Sequence, residues 1–115
     1  MGSLLVDVNN KADRDFAQNC AFPSNRYDEL TLSSSGTEYT APENGWFSMF
    51  AITTAAGGWF RMLHETTGLT NWEQCTNSGW TIAGNIPCSK GQKIQVQYEN
   101  INPQYFRFIY AKGAE

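Results

Sequence analysis

Charge is scarce in this chain: Asp, Glu, Lys and Arg together make 17% of 115 residues, and the eight Lys and Arg are scattered. Without a basic stripe there is nothing to displace counterions from a phosphate backbone, and the net charge of −3 opposes such contact. Nucleic acid is therefore excluded as a partner. Long apolar runs are missing as well. None approaches the ~20 residues that cross a bilayer, so no membrane insertion is expected. Leu4-Leu5-Val6 is too brief for a signal-peptide core and lacks a cationic start, so no export signal is expected.

Cysteine is short and odd in number: Cys20, Cys75 and Cys88. A secreted scaffold stapled by disulfides uses an even set, and no C-x-x-C accompanies the single histidine, which removes the common zinc patterns. The expectation is reduced, buried thiols made in a cytoplasm, with a Cys75–Cys88 bridge as the alternative.

Chemistry of the catalytic kind is equally thin. His64 has no nucleophile motif around it, and Glu65 beside it points to the other face of an extended chain. It reads as a strand histidine at an edge or interface. Glu38, Glu43, Glu65 and Glu73 have no setting that marks a glycosidase pair. Asp13-Arg14-Asp15 lacks the ligands of a calcium loop, and Gly57-Gly58 lacks the Lys-Ser/Thr of a phosphate cradle. No catalytic residue, metal site or cofactor is expected.

What the chain does hold is uncharged polar residues, ten glycines and an aromatic set of four Trp, five Tyr and seven Phe. One domain with a real core is the natural use of that length and those rings. Residues 1–22 are charged and mixed in period, with a short helical piece expected over Lys11 to Gln18 capped by Asn10. They read either as a linker or as a segment that packs on another chain, which would cover Leu4, Leu5, Val6 and Phe16. Pro23-Ser24-Asn25 marks the boundary, and residues 23–115 form the head.

From Tyr27 the pattern is strand and turn. "YDELTL" and "TEYTA" are short strands separated by Ser33-Ser34-Ser35-Gly36 and halted by Pro42. In "GWFSMFAITT" Trp46, Ser48, Phe50 and Ile52 share one face, and Phe47, Met49, Ala51 and Thr53 the other. Both faces are largely apolar, so this strand should be covered on both sides. Ala56-Gly57-Gly58 reads most simply as a hairpin turn into "WFRMLHE", where Phe60, Met62 and His64 oppose Trp59, Arg61 and Leu63. Thr66 to Gly79 reads as a short strand plus loop, and "WTIAGNIPC" as two very short strands about Gly84-Asn85. "QKIQVQYE" alternates Ile94, Val96 and Tyr98 inward against Lys93, Gln95, Gln97 and Glu99, and "QYFRFIYAKG" closes the chain. The expected fold is all-β, a jelly-roll-like sandwich of about eight antiparallel strands with a short N-terminal neck.

Trp72 stands apart, because "TNWEQCTNSGW" surrounds it with Asn71, Glu73, Gln74 and Asn77. An indole among amides suits a sugar, whose C–H face stacks while the hydroxyls meet the amides. It suits a loop packed at a subunit interface equally well. Asn71, Trp72, Asn77 and Trp80 are the expected ligand contacts.

The order of four pieces, "NKADRDF", "PSNRYDELTLSSSGTEYTAPENGWF", "PCSKGQKIQVQYEN" and "FRFIYAKG", resembles the C-terminal head or receptor-binding domains of tail-fibre proteins in phages and prophages of gut bacteria. It covers nearly all of residues 10–113. The aromatic-Thr-Ala-Pro-x-x-Gly-aromatic piece also resembles a strand entry in C1q/TNF-type jelly rolls, at the level of fold. The resemblance implies a homotrimeric virion protein, assembled in the host bacterial cytoplasm. Its loops would meet a bacterial cell-surface glycan or protein without catalysis, and its neck would meet other virion proteins. The stretch between Asp15 and Pro23 is shorter than in such relatives, and the chain is short for a whole fibre. A structural capsid or tail decoration protein is the alternative.

Overall fold

The computed structural model describes residues 22–115. Eight strands account for most of them: β1 (Pro23–Glu29), β2 (Thr37–Thr40), β3 (Gly45–Thr53), β4 (Gly58–His64), β5 (Thr70–Cys75), β6 (Thr81–Cys88), β7 (Lys93–Glu99) and β8 (Ile101–Ala111). They pair antiparallel in two four-stranded sheets, β1-β8-β3-β6 and β2-β7-β4-β5. That order, with the chain repeatedly crossing between layers, is a jelly-roll β-sandwich. The helix expected over Lys11 to Gln18 and the neck lie, apart from Phe22, outside the described residues, as does Cys20.

The core follows from the period of two. Phe47, Met49 and Ala51 of β3 face Phe60 and Met62 of β4, joined by Ile94, Val96, Phe106 and Phe108, all at most 2% exposed. Each of these side chains other than Ala51 contributes about 1.5–3 kcal/mol by leaving water. The rings also meet edge to face: Phe47 on Phe108 at 5.1 Å and Tyr39 on Phe106 at 4.9 Å between centroids. Cys88 is buried and Cys75 half-buried, and both thiols are free. Burial pushes the Cys88 thiol up from its ordinary range.

Five expectations are corrected. Ala56-Gly57-Gly58 does not close a hairpin: β3 pairs with β6 and β8, while β4 pairs with β5 and β7, so the turn carries the chain between sheets. "WTIAGNIPC" is one strand rather than two, paired with β3 from Gly45↔Cys88 to Ile52↔Thr81. Gly84 sits inside it because the Asn71 side chain fills the place of a side chain there, and Pro87 is tolerated because β6 is an edge strand. Pro23-Ser24-Asn25 belongs to β1 instead of ending before it, and β8 starts at Ile101, ahead of the expected segment. Pro103 is accommodated by a bulge, where Phe50 pairs with Tyr105 but Ala51 pairs with Pro103. His64, expected at an edge or interface, is 4% exposed at the end of a central strand.

The turn Pro42-Glu43-Asn44-Gly45, the PENG turn, is tied down from two sides. Lys90 donates its backbone N–H to Asn44 Oδ1 at 2.9 Å and its ammonium meets Glu43 at 3.2 Å. Ala41 exchanges backbone bonds with Gly91 and Gln92. The turn thereby delivers β3 into the middle of its sheet, with Phe108 closing over Gly45.

Candidate functional site

The outer face of the sheet β2-β7-β4-β5 gathers the side chains that oppose the core. Register places Arg61 between Trp72 on one side and Gln97 on the other, and places Trp59 between Gln74 and Glu99. Trp72 belongs to an edge strand and is 61% exposed. Trp59 meets it edge to face, with ring centroids 6.3 Å apart and planes at 81°. Together with Arg61 and Gln97 the two indoles line a hollow of about 140 Å³. A water's share of liquid volume is about 30 Å³, so the hollow admits a single small ring rather than a buried chain.

The polar groups around it are oriented. Arg61 Nη2 donates to Gln97 Oε1, which leaves the Gln97 amide N–H₂ turned to other partners. Gln95 Nε2 donates to the Gly36 carbonyl at 3.2 Å and Gln74 Nε2 to the Gly57 carbonyl at 3.1 Å, so these flanking amides are anchored to loops. An indole wall, a fixed guanidinium and an amide donor form a surface that binds and orients. None of them is a nucleophile or a proton-transfer group at neutral pH.

The expected contact residues do not form one patch. Trp72 lies on this surface. Asn71 faces the opposite way: it is half-buried, donates Nδ2 to Glu73 Oε1 at 3.4 Å and packs over Gly84. Asn77 and Trp80 lie in the turn between β5 and β6, where both backbone carbonyls accept from the Thr53 hydroxyl, at 2.6 and 3.3 Å. Trp80 is 61% exposed there, next to the other sheet. Gln97 was legible as an outward position of its strand, and Trp59 and Arg61 as sharing one face of theirs. What was not legible was that β4 lies between β5 and β7, which turns three separate stripes into one surface.

Larger hollows carry weaker chemistry. One of about 370 Å³ at the end of the sandwich is lined by His64, Thr67, Leu69, Cys88 and Gln92 among others. Its histidine Nδ1 accepts the Thr67 N–H at 3.2 Å and lies 3.0 Å from the Thr67 hydroxyl, so His64 stitches the β4–β5 turn. Its thiol is raised by burial, the reverse of an activated cysteine. Among the described residues no group of three or more His, Cys, Asp or Glu is placed to hold a metal.

One acid pair stands out on the outer face. Partial desolvation, then repulsion and a shared hydrogen bond with Glu38, raise the Glu65 carboxyl above the ordinary glutamate range, against the pull of Lys93. Since the folded state holds this proton more tightly than the unfolded chain, Glu65 favours folding below the glutamate range and opposes it as pH rises through its raised value. Glu65→Gln is therefore expected to raise the melting temperature slightly at neutral pH and leave it unchanged on the acid side of that range. Calorimetry at the two pH values measures it, and an equal shift at both would assign the effect to something other than this proton.

No family model matches the chain, and no curated protein matches it. Among solved structures it is similar to the carbohydrate-binding module from Cellvibrio mixtus lichenase 5A in complex with cellotriose. Identity is 13%, the match covers 84% of this chain and 94% of that one, and the TM-score is 0.37. A likeness at that level bears on neither the ligand nor the site of this chain.

Proposed function

We propose that this chain is a non-catalytic glycan-binding head, the adhesion module of a phage tail fibre, assembled as a homotrimer and carried on the virion. The observation that carries the glycan reading is the Trp59–Arg61–Trp72–Gln97 surface, where an exposed indole, a half-buried one and a directed amide stand on rigid strands. Stacking on an indole removes the apolar face of a sugar from water, and the amide selects among hydroxyl geometries. Strand positions keep that arrangement without an ordering cost on binding.

The trimer is supported by the other sheet. The outer face of β1-β8-β3-β6 presents Trp46, Phe50, Ile52, Tyr105 and Ile109, half-buried in the isolated chain, beside exposed Tyr27. Ser48 and Arg107 pair between the Trp46–Ile109 and Phe50–Tyr105 rows, so the face is aromatic-rich with one cation at its centre, a composition that suits an interaction site. A fibre head is the reading that uses both faces, one for neighbours and one for the cell surface, and the motif order supplies the virion setting and the number three.

Trp72→Ala is expected to weaken binding to host cells or their purified glycans at least about tenfold while mass in solution and the cooperative thermal unfolding transition are retained. Loss of the fold would instead make Trp72 structural. Mixing the protein with host cells, and separately with particles that lack it, distinguishes adhesion from decoration. Uptake by particles with no attachment to cells would replace this reading with the structural one.

A further inference from the structure

Arg61 is held in an unusual state for a half-buried cation. Lys90 pairs with Glu43, Lys93 with Glu38 and Arg107 with Glu29, yet among the described residues Arg61 has no carboxylate within 4.0 Å. Its Nε is buried without a hydrogen-bond partner, and Nη2 is engaged only by the neutral Gln97 amide. Glu99 stands on the same face, across from Trp59, and does not close on it. Keeping a guanidinium partly out of water without an anion is unfavourable, and its planar fork matches a carboxylate better than it matches hydroxyls.

We infer that the hollow beside Arg61 takes a sugar bearing a carboxylate, a hexuronic or sialic type of acid, with the acid on the guanidinium and the ring against Trp72 and Trp59. This rests on the glycan-binding reading above and narrows it to a ligand class. The net charge of −3 provides no long-range attraction for a polyanion, so discrimination comes from the local contact. A single acidic sugar within an otherwise neutral glycan suits such a site better than a densely charged polymer.

The test uses the full chain and pairs of probes that differ in the acid: sialyllactose against lactose, and trigalacturonate against its carboxyl-reduced counterpart. Titration calorimetry is expected to show the acidic member of at least one pair bound about tenfold or more tightly. Which pair responds distinguishes a sialic from a uronic ligand. Arg61→Gln should equalise the two members, Arg61→Lys should retain part of the preference, and Trp72→Ala should weaken both. Glu99→Gln, which removes a neighbouring negative charge, should strengthen the acidic member alone. Thermal unfolding of each variant establishes that it is folded, and Arg61→Lys carries the test if Arg61→Gln is not. Neutral glycans bound as well as acidic ones, or a preference that survives Arg61→Gln, would overturn the inference and leave the glycan-binding reading standing. If neither these probes nor a broad array of neutral and acidic glycans binds, the glycan reading falls with it.

Discussion

Replacing Gly45 with alanine is expected to cost about 3 kcal/mol or more, the upper end of overpacking penalties, and so a large share of the about 5–15 kcal/mol that holds a domain folded. A Cβ at this position would stand 2.1 Å from the Ile109 carbonyl oxygen and 2.7 Å from the Phe108 ring. The first contact is with backbone of the neighbouring strand, so no rotamer change relieves it. β8 would have to move away from β3, and with it Phe106 and Phe108, which fill the core. Urea denaturation measures the loss as a lower midpoint. Gly84→Ala offers the contrast, since its Cβ would meet the Asn71 side chain, at 1.8 Å from Oδ1. Trimming Asn71 to alanine should recover much of that defect, whereas trimming Phe108 should not rescue Gly45→Ala. A Gly45→Ala protein with a wild-type midpoint would show that the two strands are free to separate.

This places the PENG turn in the scaffold. Glu43 and Asn44 fasten it to Lys90, and Gly45 allows the entering strand to lie against β8 without a side chain between them. The strand that follows then presents Phe47, Met49 and Ala51 to the core and Trp46, Phe50 and Ile52 to the outside.

Much of this was legible because a strand writes its two faces into the sequence at a fixed period. The two faces of β3, β4, β7 and β8 were readable one strand at a time, but only in β7, where polar residues alternate with apolar ones, did that say which face is inward and put Gln97 outward. Pairing was not readable in that way. Alternation is the same whether a strand joins its sequence neighbour or one fifty residues distant, and so Ala56-Gly57-Gly58 resembled a hairpin turn although it crosses between sheets. The same gap hid the site. Trp72 was visible as an indole among amides, but the amides adjacent to it in sequence, Asn71 and Gln74, point inward or to a turn. Its partners come from across the ladder. Gly84 misled for a related reason: a glycine within a strand looks like a break until the side chain occupying its space, Asn71, is known.

Assigning opposite duties to the two sheets has a direct consequence. Phe50 stacks on Tyr105, with ring centroids 5.7 Å apart and planes at 11°, in the middle of the outer face of β1-β8-β3-β6. Arg107 is next to them, held over Tyr105 at 4.0 Å and Tyr27 at 4.3 Å and bridged to Glu29 at 2.6 Å. Phe50→Lys would add a second positive charge to that face and remove a ring from the contact proposed between subunits. Because the side chain points away from the core, the fold should survive. The assembly should not: light scattering is expected to fall from three times the chain mass to the 12.9 kDa of one chain. Binding should then divide in two. Affinity for a single soluble glycan stays as it was, since Trp72, Trp59 and Arg61 lie on the other sheet. Retention on a glycan-coated surface falls by about 10²–10⁴-fold as three linked sites become one. A wild-type chain that is already monomeric, or a Phe50→Lys protein that keeps its mass, would remove the basis for the trimer. Loss of single-site affinity in the monomer would instead mean that neighbouring subunits complete the glycan site.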